Sequence, residues 1–189
     1  SFVRAVLAAF RKQTVITDAE AGDIQFVAEP AFQAVELDAN AEISRGGADQ
    51  SNTSVIVGAK VVLKFLRRTH VGLHPEAEIG RYLGSMQGFA AAPAYLGTMV
   101  RAEGNGAGRV LAVMQGFVRN QGDAWTWLRS QFNALLGDLL PQVGSIDLEH
   151  EAELEPSRRF VQMLGRRVAE LHIALAQPSE ENAFRPEPV

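Results

Sequence analysis

Lys64 stands inside an apolar stretch, Val61-Val62-Leu63-Lys64-Phe65-Leu66, just before Arg67 and Arg68. A lone ammonium in a buried strand is costly unless an anion meets it. Two anions suit it: a carboxylate on the next helix, or the phosphates of a nucleotide. Upstream, Gly46-Gly47-Ala48-Asp49-Gln50-Ser51-Asn52-Thr53 gathers glycines and short polar side chains. Such a composition favours a plain surface turn. It would also suit a phosphate, because glycine lets backbone N–H groups approach and hydroxyls add donors. The stretch holds neither a GxGxxG nor a GxxxxGK[ST] motif, so taken alone it reads as a turn. Downstream, Glu76 and Glu78 sit at the start of a helical pattern. They flank its apolar face, Ile79, Tyr82, Leu83 and Met86, on opposite sides. Helical spacing therefore leaves open which of them would meet Lys64, and each is surface charge by default.

Other reactive side chains offer less. His70 and His74 have no partners at metal-ligand spacing. His172 lies on an amphipathic helical pattern and reads as a packing histidine. Trp125 and Trp127 could line a sugar site, but aromatic residues at a helix start are more often core. The acidic run Glu149, Glu151, Glu153, Glu155 reads as a solvated, irregular insert over residues 141–156.

The elements that must position these residues follow from periodicity. Residues 2–12 place Phe2, Val6, Ala9 and Phe10 on one helical face. Residues 14–16 and 24–28 read as a short hairpin, closed by Pro30. Residues 31–40 look like a connector, and 42–45 like another strand. Two strands joined at Gly58-Ala59-Lys60 carry Lys64. A helix runs from Pro75, well suited to a first helical position, to about Gln87, where Gly88 stops it. Strands at 94–100 and 109–117 flank a glycine-rich hairpin loop with an Asn105-Gly106 step. Beyond the breaker Arg119-Asn120-Gln121-Gly122-Asp123 the pattern turns helical. One helix at 124–140 carries Trp127, Leu128, Phe132, Leu135 and Leu139 on a face. Another at 157–176 carries Phe160, Leu164, Val168, Leu171 and Leu175. The tail after Pro178 is polar and reads as disordered. The order predicts an α+β fold: a strand-rich lobe with one inserted helix, then the start of a helical lobe.

Composition bounds the function. The chain has 189 residues, 47% of them hydrophobic, and a formal net charge of −4. That length can build one substantial domain or two small units. The acidic balance argues against a nucleic-acid surface. No apolar run is long enough to span a membrane. There are no cysteines, which excludes disulfides and thiolate metal sites and fits a cytoplasmic location. The chain begins at Ser1 and ends in Arg185-Pro186-Glu187-Pro188-Val189. Both ends read as cuts in a longer polypeptide.

Five stretches together carry a resemblance. They are Gln50-Ser51-Asn52-Thr53-Ser54-Val55, Val62-Leu63-Lys64-Phe65-Leu66-Arg67-Arg68, His74-Pro75-Glu76-Ala77-Glu78-Ile79-Gly80-Arg81, residues 115–123 from Gln115 to Asp123, and residues 164–172 from Leu164 to His172. In order and spacing they resemble bacterial maltokinase, and more closely the kinase-like domain fused to trehalose synthase, relatives of the aminoglycoside phosphotransferases. The resemblance implies a protein-kinase-like N-lobe at 41–118, preceded by a partial cap subdomain at 1–40 and followed by the start of a helical C-lobe at 119–189. It implies ATP and Mg²⁺, phosphorylation of maltose to maltose 1-phosphate, and a covalently linked trehalose synthase domain as partner. It implies that Lys64 holds the α/β-phosphates and that Glu78 orients it. Ser51, Asn52, Thr53 and Ser54 would cover the phosphates. Gln115 and Phe117 would offer the adenine edge, with Met114 at the back of the pocket.

One departure matters. Phosphoryl transfer needs a carboxylate for the acceptor hydroxyl and ligands for Mg²⁺. The family's His-Gly-Asp and Asp-Phe-Glu motifs are absent from these residues, so the catalytic Asp and the metal ligands are expected beyond Val189 and this chain alone is expected to be inactive. The alternatives are a non-catalytic interaction module attached to trehalose synthase, or a kinase for another acceptor such as an aminoglycoside or an amino alcohol.

Overall fold

The structure is a computed structural model that describes residues 1–20, 22–47, 52–86, 89–102, 108–139 and 151–187. Gln50, Ser51, Gln87-Gly88, Asn105-Gly106 and residues 140–150 lie outside the described residues, as do the side chains of Leu135 and Leu139. The chain divides into two compact units, Ser1–Arg119 and Asn120–Val189.

The first unit is built on α1 (Phe2–Lys12), β1 (Val15–Ile16), β2 (Ile24–Ala28), α2 (Pro30–Gln33), β3 (Ile43–Arg45), β4 (Asn52–Val57), β5 (Val61–Leu66), α3 (Pro75–Ser85), β6 (Tyr95–Ala102) and β7 (Gly108–Gly116). Its strands form a seven-stranded sheet in the order β1-β2-β6-β7-β5-β4-β3. Every neighbouring pair is antiparallel. Strand alternation gives each face its own core. On one face Val55, Val57, Val61, Leu63 and Met114 pack with Val6, Leu7 and Phe10 of α1. On the other, Leu66, Val113 and Tyr95 pack with Ala77 of α3.

The first forty residues share this sheet and this core. Phe26 of β2 and Phe32 of α2 belong to the α1 cluster. The connector at 31–40 begins as a helical turn, because Glu29 is extended and Pro30 takes the first helical position. Phe32 is fully buried there. Arg11 fastens the connector: its guanidinium donates to the Phe32 and Val35 carbonyls and lies 4.0 Å over the Phe32 ring.

Gly97 shows how tightly β2 and β6 are joined. Its φ of 149° lies where side chains rarely go, and a Cβ there would collide with the Val27 carbonyl oxygen. Gly97→Ala is expected to destabilise the first unit by about 1–3 kcal/mol, measured by chemical denaturation.

The second unit holds α4 (Ala124–Leu139) and α5 (Glu151–Leu175). Asp123 caps α4 by accepting the Thr126 N–H at 2.7 Å. That bond holds its carboxyl below the usual carboxylate range. Trp127 packs on Phe160 with ring centroids 4.9 Å apart. The acidic stretch is not wholly irregular: Glu151, Glu153 and Glu155 already lie in α5, with Pro156 inside the helix. Glu155 pairs with Arg158 and Arg159. The tail forms a 3-10 turn at Asn182–Phe184. No helix among the described residues is long and apolar enough to cross a membrane.

Candidate nucleotide site

Lys64 sits in the interior of the sheet. It pairs with Ser54 of β4 on one side and Val113 of β7 on the other. Residues directly opposite in an antiparallel ladder share a face. Ser54, Lys64 and Val113 therefore look toward α3, whereas Leu63 and Met114 look toward α1.

α3 brings the counter-charge. Its N-cap is His74, whose Nδ1 accepts the Glu76 N–H at 3.3 Å while its carbonyl accepts the Ala77 N–H at 2.9 Å. Pro75 occupies the first helical position. This fixes Glu76 in the first turn, where its carboxylate pairs with the Lys64 ammonium. The two side chains retain 28% and 25% of their exposure, so the pair is partly buried yet still reached by water and open to a ligand.

The resemblance had placed this role on Glu78, and the structure corrects it to Glu76. Two helical residues apart, the side chains point about 200° from each other. Glu76 faces β5. Glu78 faces the opposite side of the helix, where it borders a cavity with Glu29, Arg81 and Tyr95.

The other expected residues divide by strand parity. Asn52, Thr53 and Ser54 are not loop but the first half of β4. Ser54 opposes Lys64 and Asn52 opposes Leu66, so both share the α3 face. Thr53 opposes Phe65, and its side chain looks to the α1 face, away from the site. Arg67 anchors the start of β4 by donating to the Asn52 carbonyl at 2.7 Å. Ser51 lies outside the described residues.

Met114 needs a second correction. It opposes Leu63 and is fully buried in the α1 cluster, so it cannot form the back of a pocket on the Lys64 face. Val113 stands there instead, fully buried beside Lys64. Gln115 opposes Val62 and Tyr95 and returns to the Lys64 face, half-buried. Beyond it the backbone is committed to the protein. The Gly116 N–H donates to the Ala94 carbonyl and the Phe117 N–H to the Lys60 carbonyl, both at 2.8 Å. An adenine would have to be read by other groups of this strand end.

Sequence reasoning left Glu76 and Glu78 as equal candidates and missed Val113. The signal for Val113 was present: alternation along β7 sets it apart from Met114. No signal for Glu76 existed without the sheet, since periodicity gives an angle and not a direction. His70 and His74 stack with centroids 5.9 Å apart. Among the described residues no group of three or more His, Cys, Asp or Glu could hold a metal ion.

Comparison with known proteins adds the fold. No protein-family model matches the sequence. A glucosamine kinase solved in complex with glucosamine, ADP and inorganic phosphate superposes with a TM-score of 0.53 and 23% identity. The chain shares its fold with that kinase. The match covers 92% of this chain and 35% of the other, so the chain spans about a third of that protein's length. A second glucosamine kinase structure, crystal form B, gives a TM-score of 0.44 and 20% identity, over 93% of this chain and 48% of that one.

The arrangement therefore joins a kinase-like fold to a half-buried ammonium. Its carboxylate partner fixes its position, and a hydroxyl and an amide share its face. Such a group can hold an anion at a defined place.

Proposed function

We propose that this chain is the nucleotide-holding part of an ATP-dependent sugar kinase. The Lys64–Glu76 pair, spanning sheet and helix on the face shared by Ser54 and Gln115, carries the proposal. Lys64 would neutralise phosphate charge, with Glu76 keeping its ammonium from collapsing onto the sheet. Ser54 and Asn52 would flank the phosphates. Residues 41–118 would act as the N-lobe, the first forty residues as its outer cover, and 119–189 as the beginning of a helical lobe. The fold likeness to a kinase that binds a sugar and ADP supports this reading. For the acceptor, the sequence resemblance favours maltose, giving maltose 1-phosphate, next to a trehalose synthase domain. The described residues do not fit a Mg²⁺ site, so no metal-dependent step is assigned to them.

A non-catalytic interaction module is the second reading. The engaged amides of Gly116 and Phe117 favour it, because they are the donors an adenine would use.

Titrating the protein with ATP and with ADP, followed by amide NMR, separates the two. Saturable shifts at Lys64, Ser54 and Gln115 are expected, without ATP turnover, since no catalytic Asp motif is present. Absence of saturable binding at millimolar nucleotide would favour the module.

A further inference from the structure

Glu78 and Arg81 are left over from the nucleotide site, yet both border a substantial cavity. It lies between α3 and the strands β2, β6 and β7, on the side of the helix away from Lys64. Its volume is about 390 Å³, within the range of small-molecule pockets. Its walls are apolar: Val27, Leu73, Ala77, Val100 and Val110. Its polar side chains are few: Glu29, Glu78, Arg81, Tyr95 and Thr98. Two carboxylates against one guanidinium leave the rim one formal negative charge. Burial pushes the Tyr95 hydroxyl further from ionisation, while its bond with Thr98 partly offsets that. The hydroxyl therefore stays neutral and adds no further anion.

We propose that this cavity binds an organic amine with an apolar body, and that occupancy is linked through α3 to the Lys64–Glu76 pair. The charge balance selects the ammonium and the walls select the body. The linkage follows from α3 itself, which supplies Ala77, Glu78 and Arg81 to the cavity and Glu76 to Lys64. α3 also rides close on a wall residue. A Cβ at Gly80 would lie 3.2 Å from the Tyr95 ring, and one at Gly84 3.7 Å from the Tyr95 Cβ. A ligand against Tyr95 and Ala77 thus holds the helix where Glu76 reaches Lys64. The amine site stands without the nucleotide reading, whereas the linkage rests on it.

The test is a titration with 2-phenylethylamine in the absence of nucleotide, read by amide shifts. Saturable shifts at Ala77, Tyr95 and Thr98 are expected. 3-Phenylpropionate, the anion of similar size, should bind about tenfold more weakly. Glu78→Gln should weaken the amine by several-fold and leave the acid unaffected. Equal binding of amine and acid, shifts mapping elsewhere, or an unchanged amine affinity in both Glu78→Gln and Glu29→Gln would overturn the site. Saturating 2-phenylethylamine should tighten ADP by about fivefold. Unchanged ADP affinity would overturn the linkage and leave the site standing. Amine binding without any ADP binding would instead overturn the nucleotide reading.

Discussion

If Lys64 holds a nucleotide as proposed, Lys64→Met is expected to weaken ADP binding by about 10- to 100-fold, the worth of charge-assisted bonds from one ammonium to phosphate oxygens. Methionine keeps the length and apolar stem of lysine, so the sheet is preserved. The stability loss should be small, about 1 kcal/mol, because a pair that keeps a quarter of its exposure still shares its charges with water. Affinity and stability therefore separate in this variant, which isothermal titration and denaturant melts would show side by side. The two glutamates then discriminate between the sequence expectation and the structure. Glu76→Gln removes the charge that positions the ammonium and should cost a clear part of the Lys64→Met effect. Glu78→Gln, on the far side of α3, should leave ADP affinity near its starting value. If Glu78→Gln proved the more damaging of the two, Glu76 would not be the residue that positions Lys64. If Lys64→Met bound ADP as well as the parent protein, the site itself would be misplaced.

That pair of glutamates also shows where local sequence stops informing. Periodicity placed both on α3 and set their angular separation, but it had no means of knowing on which side β5 runs. The neighbour of a helix is a long-range property. Met114 failed for the same reason. The apolar run around it marks a strand, yet the register between β5 and β7 decides which of Val113 and Met114 shares a face with Lys64. The hairpin carrying Lys64 was legible because its turn is local: Gly58 supplies a left-handed backbone with φ 58°, and Ala59 follows at 49°. Phe32 was hidden in a stretch of mixed polarity. Pro30 read as a stop although it starts α2, and one buried aromatic makes no periodic pattern. The early start of α5 was masked by Pro156, whose presence argued for loop more loudly than the surrounding glutamates argued for helix.

Phe10→Ala carries the largest expected stability effect. Phe10 is fully buried at the centre of the α1 cluster. Its ring meets Phe26 edge-on at 5.3 Å and Phe32 at 6.3 Å, so one side chain joins α1, β2 and α2. Truncation removes the buried ring and leaves a cavity that these neighbours cannot fill without breaking their own contacts. The cost should be about 3–5 kcal/mol, a large share of the roughly 5–15 kcal/mol that holds a domain together. Phe10→Leu fills much of that volume and should lose clearly less. Both tryptophans, Trp125 and Trp127, lie in the second unit. Amide exchange in β4 and β5 reads the first unit directly and is the proper readout. The strand that carries Leu63 into the α1 cluster carries Lys64 to the other face. Exchange protection at Lys64 should therefore fall together with that at Leu63, although the mutation lies across the sheet. A loss under about 1 kcal/mol, far below the large-to-small range, would mean that the first forty residues are a separable cap and not half of the core.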